Sequence, residues 1–177
     1  MEEIEVPVGE VEEQAHHHLE HGSNTTAKEA LTSAIFAVFA AIAALLAGHH
    51  SNEAMIEQLH ASDQWGYYQA KGIKASVMSA KAELLTELGK PKDEKTEAKL
   101  EAYKSDQEHI SEKANENEKE SAKHLAIHQI LARSVTFFQI AITMAAISIL
   151  TRRKQFWFVS LGFGLVGLIC FIQGLVF

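Results

Sequence analysis

Residues 31–47 read LTSAIFAVFAAIAALLA, a run without a single charge. It is apolar all round and reaches the short end of what crosses a bilayer, about 17–25 residues. Two more such runs follow: 134–150, SVTFFQIAITMAAISIL, and 156–177, FWFVSLGFGLVGLICFIQGLVF. The last opens on Phe156, Trp157 and Phe158 directly after Arg152, Arg153 and Lys154, the aromatic and basic pairing of a membrane interface. The reading is an all-α membrane protein. It has three transmembrane helices (26–48, 134–150 and 156–177) and a basic turn at 151–155. A long antiparallel, coiled-coil-like helical hairpin occupies 49–133, between the first and second spans.

The charge distribution agrees. The chain has 177 residues, 16 Lys+Arg and 23 Asp+Glu, for a net charge of −7. Residues 1–29 carry eight Glu and one Lys, whereas the only charges in 134–177 are those of Arg152, Arg153 and Lys154. This segregation excludes a plain soluble globule and, lacking a basic face, a nucleic-acid binder. A lone cysteine, Cys170, excludes a disulfide framework. Thr26, Ala27, Lys28 and Glu29 fit a capping box opening the first span, with Glu29 reaching back to the Thr26 amide. Lys28 and the Arg-Arg-Lys turn place the N-terminus in the cytoplasm and the hairpin in a periplasm. The location expected is a bacterial inner membrane.

Between the first two spans Ala, Glu, Lys, Gln and Leu dominate, interrupted at Leu88, Gly89, Lys90 and Pro91. A turn at 89–91 halves the segment, so residue i pairs with roughly 181 − i. Steps of three and four put Ile56, Leu59, Asp63, Gly66, Ala70, Ile73, Val77, Ala80 and Leu84 on the outgoing seam. On the return helix they select Leu100, Tyr103, Gln107, Ile110, Ala114, Asn117, Ser121, His124, His128 and Leu131. In this register His124 lies near Glu57 and His128 near Glu53. That set suits zinc or a proton-sensitive bridge, or else forms a solvated polar collar. Trp65, Tyr68 and Gly72 make a second stripe, which either packs on the partner helix or meets another subunit.

Small residues mark close helix contacts in lipid. Ala40, Ala44 and Gly48 in the first span and Gly164 and Gly167 in the third therefore suggest a homo-oligomer, with packing inside one three-helix bundle as the alternative. In the acidic leader, read as a flexible tail over 1–25, His17 and His21 share a helix face and form a second metal candidate. No metal or other cofactor is required by this reading. No nucleophile elbow, phosphate loop, HExxH or CxxC occurs, so no enzyme is expected.

The blocks ALTSAIFAVFAAIAALLAGHHSNEAMIEQ (30–58) and ASDQWGYYQAKGIK (61–74), with LTRRKQFW (150–157) between the later runs, resemble the bacterial membrane proteins grouped as domain of unknown function 4337. The resemblance implies bacterial origin and membrane residence but no activity. It singles out His49, His50, Asn52, Glu53, Asp63, Trp65, Tyr68, Gln69, Lys71 and Lys74. The function expected is that of a non-enzymatic membrane protein that self-associates as a scaffold or as an accessory of a larger membrane complex. The alternative is a passive ion channel or metal-handling transport component.

Overall fold

The computed structural model describes residues 26–91 and 94–177 in full, and residues 8–25 as backbone only. Three helices account for them: α1 (Val8–Glu87), α2 (Glu94–Thr151) and α3 (Lys154–Val176). No strand occurs among the described residues. All three helices contain a stretch long and apolar enough to cross a membrane. The chain divides into two compact units, one of Met1–Ala47 with Gln129–Phe177, the other of Gly48–His128.

The first unit packs its share of α1 and α2 with α3 around Phe138, which is fully buried. The Phe138 ring stacks with Phe36 at 6.0 Å and Phe39 at 5.8 Å, and Phe39 meets Phe171 edge-on at 5.9 Å. Glycines on α3 admit these large neighbours. A Cβ on Gly164 would run into the Phe36 ring, one on Gly167 would fall 3.0 Å from Phe138, and one on Gly174 2.7 Å from Leu131.

Buried hydroxyls close the unit, as expected where water cannot take up a stray donor. Ser134 donates to the Gly167 carbonyl at 3.0 Å and Ser160 to the Ala141 carbonyl at 2.7 Å. The expected capping box at Thr26 does not form, because α1 runs through that position unbroken and needs no cap there. Glu29 is instead buried, its carboxylate within 2.9 Å of the Ser148 hydroxyl, which also lies 3.0 Å from the Arg153 carbonyl in the α2–α3 turn.

The second unit is the antiparallel hairpin of α1 and α2. Its turn is a Schellman motif: Gly89 N–H donates to Thr86 O and Lys90 N–H to Leu85 O, both at 3.0 Å. Gly89 takes φ 68°, as the motif requires, with open space where a Cβ would sit. Gly89→Ala therefore meets no clash and pays only for left-handed backbone, a loss of about 1 kcal/mol. The check is the unfolding midpoint of the purified chain, and an unchanged or raised midpoint contradicts the assignment.

The return seam is as expected from sequence: Ile110, Ala114 and Ser121 are buried, and Leu100, Tyr103, Gln107, Asn117, His124 and His128 are half-buried. The outgoing seam is not. Ile56 (43% exposed), Leu59 (62%), Ile73 (66%), Val77 (63%) and Leu84 (57%) face away from α2. The face that packs carries Ala54, Ala61, Ala75 and Ala82, repeating by sevens, with Trp65, Tyr68 and Gly72 among them. Small side chains let two helices approach closely enough to exchange polar contacts with each other's backbone. Ser121 donates to Ala54 O at 2.8 Å, and Gln107 Nε2 to Tyr68 O at 3.3 Å above Gly72.

Candidate functional site: a histidine cluster on the hairpin

The contacts Ser121–Ala54, Gln107–Tyr68 and His124–His50 set residue i opposite roughly 175 − i, about six residues from the symmetric expectation. The helix ends do not produce this offset, since Glu87 and Glu94 sit symmetrically about the turn; it accompanies the contacts by which Ser121 and Gln107 reach backbone carbonyls of α1.

The shift reassigns the histidines. His124 faces His50, with the two Nδ1 atoms 2.9 Å apart and ring centroids 5.1 Å apart. One nitrogen donates and the other accepts, so at least one ring is neutral in this contact. His49 sits beside His50, with ring centroids 5.4 Å apart. Glu53 lies 3.9 Å from His49 and Glu57 3.9 Å from His60, each along its own helix. In place of the Glu57 expected opposite it, His124 thus meets His50. Among the described residues, no three His, Cys, Asp or Glu side chains stand ready-placed around a metal position. The side chains of His17 and His21 lie outside those described.

His50, marked in the sequence only by the resemblance, is the residue that spacing alone missed. Its pKa is held below the ordinary 6.5, first by burial, then by His124 and His49 and, more weakly, His128, with Glu53 acting in the opposite direction. An imidazole that resists protonation in the fold but not in the unfolded chain makes stability fall with acid. This contribution is complete above pH 6.5 and is lost as pH drops through and below it. His50→Gln is expected to flatten the decline in unfolding midpoint between pH 7.5 and 5. An equally steep decline in that variant refutes the assignment.

Further out, the aromatic stripe is engaged within the chain. Trp65 Nε1 donates to Glu118 Oε1 at 2.8 Å and its ring meets Tyr68 edge-on at 5.5 Å. Lys71 pairs with Asp106 at 2.6 Å and lies over the Tyr103 ring at 5.2 Å. The hydrogen bond to Asp106 raises the Lys71 pKa. Of the small residues expected at subunit contacts, Ala40 is buried and Gly164 and Gly167 admit phenylalanines of the same chain, while Ala44 and Gly48 are exposed.

A family model described as Domain of unknown function (DUF4337) matches residues 25–177. No curated protein and no solved structure matches the chain significantly.

Proposed function

Since this chain belongs to the DUF4337 family, whose description carries no activity, we propose from its own geometry that it is a self-associating membrane scaffold. Its three apolar stretches would cross the bilayer, and its hairpins would join copies outside it. In the best spanning window of each helix only 17%, 28% and 28% of residues are buried inside the chain. Lipid is the medium that suits the remainder. The bacterial inner membrane, with a cytoplasmic N-terminus and a periplasmic hairpin, remains the setting that the basic turn favours.

One observation carries the self-association: the outer face of α1. Ile56, Leu59, Ile73, Val77 and Leu84 lie on one heptad-spaced stripe and are each 43–66% exposed. The outer face of α2 is instead crowded with charge, including Lys104, Glu108, Glu112, Lys113, Glu116 and Lys119. A heptad stripe unused by its own hairpin suits a like stripe on a second copy, in an isologous contact. Copies anchored in one bilayer share a direction, so the stripes would run parallel.

Native mass spectrometry of the detergent-purified chain tests this. The expected result is a homo-oligomer that persists on dilution, and a monomer at micromolar concentration overturns the scaffold. The metal-handling alternative draws support from the His50–His124 contact alone.

A further inference from the structure

We infer that the hairpin holds a site for a zinc-type divalent transition metal, built on His50 and His124 and completed by His128. The two Nδ1 atoms are already 2.9 Å apart across the helices. Two nitrogens bound tetrahedrally to one zinc, each at about 2.0–2.1 Å, stand about 3.4 Å from one another. Parting the rings by about half an ångström therefore replaces a shared proton with a metal ion.

The neutral imidazole is the ligating form, and burial together with neighbouring imidazoles favours it at His50. His128 follows His124 by four residues, the spacing by which two histidines on one helix face bind one zinc. It also lies close enough to His50 to act on its charge. To complete the site its ring must turn from its present partner toward the pair. Three imidazoles leave one coordination position open, the arrangement of an exchangeable or ligand-binding site rather than a sealed structural one. Glu53, within electrostatic reach of His50, offsets the ion's charge. The site stands apart from the α1 stripe and does not depend on self-association.

The leader contains His16, His17, His18 and His21 and would obscure a titration. The test therefore uses the full chain with those four changed to alanine, in detergent, titrated with Zn²⁺ against a chromophoric chelator. The expected result is one Zn²⁺ per chain, with affinity falling at least tenfold in His50→Ala and again in His124→Ala, and less in His49→Ala. His124→Gln, which retains a polar side chain at the position, is expected to lose zinc while keeping wild-type helicity by circular dichroism. Co²⁺ substitution gives a second readout, a visible d–d band that disappears with His124. No saturable binding in the leader-substituted chain, or affinity unchanged by both His50→Ala and His124→Ala, overturns the site.

Discussion

Phe138→Ala is expected to be the most destabilising single change in the three-helix unit, costing about 3 kcal/mol, the lower end for a buried aromatic. The ring is fully buried, stacks with Phe36 and Phe39, and fills the space that Gly167 opens. Truncation leaves a cavity bordered by two aromatic rings and a glycine, none of which can grow into it. Were the unit to lie in lipid, as proposed, the transfer term would largely vanish and close packing would be what is lost, hence the lower end of the range.

Gly164→Ala provides the comparison. Its new methyl would collide with Phe36, but that ring is only half-buried and can swing aside, so a smaller loss, about 1–2 kcal/mol, is expected. Thermal unfolding of both variants in one detergent ranks them. A smaller midpoint drop for Phe138→Ala than for Gly164→Ala contradicts the packing described.

Much of this fold is legible in the sequence because its signals are long and redundant. Three apolar runs, a Gly-Lys-Pro turn and a helix-forming composition all point the same way. The return seam of the hairpin could be read residue by residue because α2 has only one non-polar face, and Ile110 and Ala114 can face only inward. α1 has two candidate faces. Ile56, Leu59, Ile73 and Val77 are the more hydrophobic, and hydropathy alone selects them. Ala54, Ala61, Ala75 and Ala82 permit the closer approach, and Ser121 and Gln107 on α2 need a nearby backbone to donate to. Closeness prevails because a buried hydroxyl or amide without a partner costs more than an exposed isoleucine. The alanine heptad was the available signal.

The histidine cluster was legible in kind but not in membership. Its location depends on the register, and the register on which α1 carbonyls the Ser121 and Gln107 side chains reach, not on where the helices end. A shift of about six residues exchanges Glu57 for His50 opposite His124.

The largest expected effect on assembly follows from the same choice of face. Ile73→Glu combined with Val77→Glu places two charges in the middle of the proposed contact, on side chains that point away from the chain's own α2. Burying an Ile or Val is worth about 1.5–3 kcal/mol, so losing both weakens a parallel pair by at least about 3 kcal/mol, more than a hundredfold in dissociation constant. The hairpin itself should be unaffected, because its seam of Ala54, Ala61, Tyr68 and Gly72 is untouched.

Trp65→Ala is expected to do the reverse. It removes the bond to Glu118 and the contact with Tyr68, loosening the hairpin while leaving the stripe's residues in place. Asp63 interrupts the stripe and is expected to weaken assembly while fixing its register, so Asp63→Leu should tighten the oligomer. Size-exclusion chromatography with light scattering reads assembly and circular dichroism reads the hairpin. An oligomer that survives the double glutamate variant at full helicity removes the α1 stripe as the contact between copies.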